Sequence, residues 1–296
     1  MTTYTNAAVM DHTTDAAFRT WGSYLAAALA TVGLVQTTDT GQINWTTVTR
    51  AGTNANAGYE IWKFNDSYQA TAPIFIRFDY GTGSTTASGR LQVTVGTSTN
   101  GAGTMTGTTT TALTVSRGVT GSTVLAYTTY MSGAAGFFGM VFKAGSVSTS
   151  LPFSVVCVSR SCDANGTPTT TGAFCYFGQG NTGAPNGCIG QVLVFTPTPA
   201  VRSTTQVYCL MTESVSNSLV SGDLQAFPFF GLFPRNTPIF SHCGIVLSEL
   251  PIGTTFVTAM VGTATRTFIS MGGGTSILNA ADAGGSSTHA TGMLWE

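Results

Sequence analysis

From residue 39 onward the hydrophobic pattern of this chain has a period of two, and only one stretch before that point has a helical period. That change limits the fold more than any other feature. A period of two lines apolar side chains along one face of a strand, whereas spacings of three and four form a stripe on a helix. In Ile74-Phe-Ile-Arg-Phe-Asp-Tyr80, residues Ile74, Ile76, Phe78 and Tyr80 share one face, and Arg77 and Asp79 share the other. The runs 59–64 and 91–95 read the same way, rich in aromatic and branched residues. Further strands are expected at 124–130, 137–142, 153–158, 173–177, 191–195, 206–211, 239–247, 255–261 and 266–271. Turn residues punctuate them at Asn65-Asp66, 81–83 and 100–103. The fold class expected is mainly β, an antiparallel β-sandwich or jelly-roll-like architecture with one N-terminal amphipathic helix.

The helix is expected over residues 14–33. Thr13 or Thr14 can cap its start, Asp15 suits the positive end of the helix dipole, and Gly33 suits the position just past its end. Phe18, Trp21, Leu25, Leu29 and Val32 form its apolar stripe, which must dock on the chain's own β domain or on a neighbouring subunit. The apolar run at 24–35 is too short to cross a bilayer, which takes about 20 residues. Residues 1–15 contain no Lys or Arg, so a secretory leader is not expected and the run reads as structural helix. The domain division expected is an N-terminal segment, 1–38, followed by a β-rich domain, 39–296, with a seam near the Thr-rich stretch 104–111.

Composition bears on how such a β protein lives. Of the 296 residues 43% are hydrophobic and only 8% are charged, against about 25% charged in an average soluble domain. Thr, Ser, Gly and Asn must cover the surface, and they repel neighbours weakly. This suits a chain packed against partners; a free secreted or surface β-protein would share the same style. A net charge of −1, with 11 Lys and Arg dispersed along the chain, gives no basic stripe for a phosphate backbone. Nucleic acid and membrane are therefore not expected as partners, and self-association is.

Motifs for chemistry are sparse. Gly178-Gln-Gly-Asn-Thr-Gly183 matches the dinucleotide fingerprint in letters, but Pro185, Asn186 and Gly187 follow where a helix must begin, so it reads as loop. His12, His242 and His289 stand apart, and His242 beside Cys243 is the one adjacent pair able to ligate or activate. No nucleophile elbow or carboxylate pair is present, so neither catalytic residue nor cofactor nor metal is assigned, and no enzyme is expected. Six cysteines occur without a C-x-x-C. Cys157, Cys175, Cys209 and Cys243 lie in apolar strands, as buried thiols do. Cys162 and Cys188 fall in or beside the polar loops 163–172 and 179–187 and are the crosslinking candidates. Phe18 and Trp21 of the helix, with Leu294 and Trp295 at the other end, are the candidate interface residues, since large apolar groups near chain ends mark contact sites.

The N-terminal third carries a series of short motifs in order. They are Gly41-Gln-Ile-Asn-Trp45, Gly58-Tyr-Glu-Ile-Trp-Lys-Phe-Asn-Asp66, Ala72-Pro-Ile-Phe-Ile-Arg-Phe-Asp-Tyr-Gly81, and Val93-Thr-Val-Gly96 with Gly101-Ala-Gly103. Preceded by the helix with Phe18 and Trp21, this series resembles virion structural proteins of tailed bacteriophages, often tail or fibre components, over about residues 14–107. The resemblance implies a particle component made in the host cytoplasm and located in the virion, which acts by contacts with itself and other particle proteins. It leaves tail, baseplate, fibre, head fibre and capsid decoration open. A second reading, an adhesin or carbohydrate-binding β-module recognising a host-surface glycan, would use Trp45, Trp62 and Tyr68 as stacking platforms for sugar rings.

Overall fold

The computed structural model describes residues 1–9, 11–83, 86, 89–109, 113–117, 126–144, 153–162, 167–179, 189–194, 200–204, 226–230, 239–246, 255–259, 265–273 and 290–295. In chain order its elements begin with β1 (Thr2–Val9), α1 (Asp15–Thr31), β2 (Val35–Gln36), β3 (Asn56–Lys63) and a short 3-10 turn, Ser67–Ala70. There follow β4 (Phe75–Thr82), β5 (Gly89–Gly96), β6 (Ser98–Thr99), β7 (Met105–Thr106) and β8 (Leu113–Arg117). The next group is β9 (Ala126–Ala134), β10 (Phe137–Ala144), β11 (Phe153–Cys162), β12 (Pro168–Gln179), β13 (Ile189–Val194) and β14 (Ala200–Thr204). The last are β15 (Ala226–Phe230), β16 (Ile239–Val246), β17 (Thr255–Ala259), β18 (Thr265–Gly273) and β19 (Ala290–Leu294). The expected strand at 206–211 lies outside the described residues.

The fold is mainly β and antiparallel, with one α-helix among the described residues. A five-stranded sheet runs β2-β3-β4-β5-β8, and a 12-stranded sheet runs β1-β9-β10-β11-β16-β19-β18-β17, with β12, β13, β14 and β15 branching from it. The chain passes from the small sheet to the large one between Arg117 and Ala126, one strand beyond the seam expected near 104–111. Residues 1–38 are woven into both sheets: β1 pairs with β9 and β2 with β3.

The two sheets face each other as a sandwich. Ile76, Phe78 and Tyr80 of β4 point inward as their alternation requires, and register aligns them with Val95, Val93 and Leu91 of β5. Met131, Phe138, Met140, Phe142, Val156 and Val158 of the large sheet complete the same cluster, with Phe78 edge-on to Phe138 at a ring separation of 6.2 Å. A second buried layer lies behind β10. A Cβ at Gly139 would stand 2.5 Å from Met293 Sδ and 3.5 Å from Cys157 Sγ, so β19 lies across the back of β10 and β11.

Helix α1 joins the two sheets. The Thr14 hydroxyl accepts from the Ala17 amide at 3.1 Å, as an N-cap should. At the other end Gly33 takes φ +93°, and the amides of Gly33 and Leu34 donate to Ala30 and Leu29 carbonyls, which is the Schellman arrangement. Trp21 packs edge-on to Tyr80 of the small sheet at 5.8 Å, while Val32 O meets Gly133 of the large one. The stripe therefore docks on the chain's own β structure, and burying each of Phe18, Trp21, Leu25 and Leu29 contributes about 2 kcal/mol.

Candidate functional site

The densest polar arrangement is built round Glu60. Alternation along β3 turns Glu60 to the same inward face as Trp62, and the residue is 1% exposed. Its carboxylate accepts from Trp45 Nε1 at 2.8 Å, Trp62 Nε1 at 3.2 Å and the Tyr80 hydroxyl at 2.8 Å. None of these donors carries positive charge. Burial pushes the Glu60 carboxyl above its ordinary range, and the three hydrogen bonds oppose that only in part. Tyr80 is pushed up in turn, by burial first and then by the charge of Glu60. Rings enclose the carboxylate. Trp45 stands edge-on to Tyr80 at 4.8 Å and to Phe18 at 5.4 Å, and Trp45 reaches in from a loop over Gly22 of α1.

His12 lies beside this cluster, 0% exposed, its ring 4.7 Å from that of Phe18. Nε2 is 3.4 Å from the Thr82 hydroxyl. The Thr82 hydroxyl donates to Ala51 O at 2.7 Å and is 1% exposed, so it is free to accept from His12 and closed to any substrate. Burial holds the His12 imidazole below its ordinary pKa, and the charge of Arg50 adds to this. Arg50 donates to His12 O at 2.8 Å and pairs with Asp15 at 3.2 Å, fastening the segment before α1.

A third polar group ties the sheets together. Arg160 of β11, 0% exposed, forms a bidentate pair with Asp66 at 2.7 and 3.1 Å and donates to Ala72 O at 2.6 Å. Both latter residues belong to the connection between β3 and β4, so one guanidinium spans from the large sheet to the small. On the outer face of the small sheet Asp39 accepts from Thr37 at 2.6 Å, from the Thr99 hydroxyl and from the Gly103 amide at 3.2 Å. Burial pushes its carboxyl up, but these hydrogen bonds outweigh that and hold it below the ordinary range. Arg77, paired with Asp79 at 2.6 Å, stacks over the Tyr59 ring at 4.2 Å and donates to Gly103 O in the connection between β6 and β7.

The residues expected at an interface are placed differently from expectation. Phe18 and Trp21, 0% and 5% exposed, belong to the interior. Leu294 is 2% exposed because β19 is a central strand, held between β16 and β18 rather than at an edge. Trp295 is half-buried: its amide donates to Thr267 O at 2.9 Å and its ring packs on Tyr130 at 6.1 Å. The proposed stacking platforms are also engaged. Trp62 is core, Trp45 serves Glu60, and Tyr68 lies beside the Arg160 guanidinium at 5.8 Å. Cys162 ends β11, opposite Pro168, while Cys188, Cys209 and His289 lie outside the described residues. Cys157 and Cys175 are buried, as expected of strand thiols, and burial pushes the Cys175 thiol far up. Of the glycine motif, Gly178 sits in β12 opposite Val155, and the remainder beyond Gln179 lies outside the described residues.

Glu60, Arg160 and Asp39 belong to no motif in the sequence that points to a site, and Asp66 reads there only as a turn residue. The signal for Glu60 is parity: it shares its side of the strand with Trp62 and Phe64, an odd place for a charge. Among the described residues no three His, Cys, Asp or Glu side chains converge, and no helix is long and apolar enough to cross a membrane. No protein-family description, curated protein or solved structure matches the chain.

Proposed function

We propose that this protein is a bacteriophage virion structural protein, tail- or baseplate-associated, which works through self-association and contacts with other particle proteins. The observation that carries this reading is how few charges the chain has for its surface. It has only 11 basic and 12 acidic residues; of these Glu60, Asp39 and the Asp66–Arg160 pair are buried, while the part-exposed pairs Asp15–Arg50 and Arg77–Asp79 are matched within the chain. A surface so low in charge is poorly defended against association, which is a liability in a monomer and suits an assembly subunit. The polar groups with unusual environments act as interior ties, closed to substrate, and this supports a structural role over a catalytic one. The motif series of residues 14–107, which resembles virion proteins, supports the phage particle as the assembly.

Light scattering on the purified chain, with immunogold labelling of phage particles by an antibody to it, tests the reading. Defined oligomers and decorated particles are expected. A strictly monomeric chain that binds a glycan and labels no particle overturns it.

A further inference from the structure

Resting on the assembly reading, we propose that β1 is the edge through which two copies of this chain pair, strand to strand and antiparallel, extending the large sheet across a two-fold axis. The observation is a contrast among the sheet edges. A strand at the end of a sheet shows a row of unpaired N–H and C=O groups, and proteins guard such edges with short length, charge, proline or a bulge. Among the described residues eight strands end a sheet or a branch of it: β1, β2, β6, β7, β8, β14, β15 and β17. Seven are guarded or short. β2, β6 and β7 have 2 residues each, β8 carries Arg117, β14 carries Arg202, β15 carries Pro228 with a register shift beside it, and β17 has 5 residues.

β1 has none of these devices. Its 8 residues, Thr-Thr-Tyr-Thr-Asn-Ala-Ala-Val, contain no charge and no proline. All eight pair with β9 in one unbroken register, so no bulge turns the edge away. Thr2 and Thr5 are exposed and Met1 is 47% exposed. The complement of an unpaired strand edge is another strand edge. A second copy presents the same one, and antiparallel pairing about a two-fold axis satisfies both rows at once. Such pairing asks nothing of side chains except that they not repel, which fits the uncharged composition of β1.

The test is Thr5→Lys, which places a charge on an exposed position and, across a two-fold axis, brings two like charges near each other. A concentration series by light scattering compares it with the unchanged chain and with Val35→Lys on the short edge β2. Amide exchange of the peptide covering residues 1–10 is followed in all three, with circular dichroism to show that each is folded. Expected are protection of that peptide that grows with concentration in the parent and in Val35→Lys, and a concentration for association about tenfold higher in Thr5→Lys. If the parent and Thr5→Lys associate equally, with no concentration dependence of exchange in residues 1–10, the edge proposal is wrong while the assembly reading stands. A parent that stays monomeric at every concentration overturns both. Should Thr5→Lys not fold, Thr2→Lys replaces it under the same criteria.

Discussion

Glu60 and Arg160 are two of the few charges in the chain, and both are used in its interior. For Arg160 the geometry predicts a large penalty on removal. Arg160→Met retains the apolar stem but leaves the Asp66 carboxylate, 2% exposed, without its cation and Ala72 O without its donor. Removing one partner of a buried pair costs about 3–5 kcal/mol, because the remaining charge stays desolvated. Denaturant unfolding of the variant should show a loss of that order; a loss below about 1 kcal/mol would mean water reaches Asp66 and the tie is not what joins the sheets. Sequence alone could place these residues but not pair them. Alternation puts Glu60 inward beside Trp62, yet its other two donors come from positions 15 and 20 residues away, and the partner of Arg160 lies 94 residues away. Side-chain partners at that distance depend on how the sheets stack, which no local pattern encodes.

At the scale of elements, legibility followed the strength of the local signal. The helix was readable from its N-cap, its apolar stripe and its C-terminal glycine. So were β3, β4, β5, β9, β10 and β11, whose aromatic and branched residues alternate clearly. β1, β14, β15 and β19 were not. Ala290-Thr-Gly-Met-Leu294 has little strand preference of its own and is held as a strand by pairing on both sides. The same misreading made Leu294 and Trp295 look like loose apolar ends. Close packing of elements gives a sharper prediction at Gly22, in the buried stripe of α1. A Cβ there would lie 2.0 Å from Trp45 Cη2, and the indole cannot retreat without losing its bond to Glu60. Alanine gains about 1 kcal/mol of helix propensity over glycine, and the overlap costs about 1–3 kcal/mol. Because the separation is little more than half an ordinary contact distance, Gly22→Ala should destabilise by about 1–2 kcal/mol net, seen as a lower melting temperature. A variant as stable as the parent would show that the Trp45 loop is free to shift, and that the cluster round Glu60 is not rigid.

For the whole molecule, the two buried titrating groups next to α1 act in opposite directions on stability. His12 is held below its ordinary value of 6.5, so the stability it contributes is present above that pH and is lost as pH falls through its folded value. Glu60 is raised above its ordinary value of 4.5, so its contribution is present below that pH and is lost as pH rises through its folded value. In mild acid the two groups therefore act with opposite sign: raising the pH recovers the His12 contribution and loses that of Glu60. Asp15 and Asp39, both held below their ordinary 3.8, lose their contributions only in stronger acid and leave this window alone. Glu60→Gln removes one of the opposing slopes. It keeps an acceptor for the indole and phenol donors, and the amide it introduces imposes a penalty that does not vary with pH. Melting temperatures of parent and variant should therefore diverge in the variant's favour as pH is raised from 4.5, with the variant gaining stability towards pH 7 on the His12 slope. A difference between them that stays constant from pH 4 to 7 would show that Glu60 does not titrate differently in the folded chain, and would leave its three hydrogen bonds as a purely structural tie.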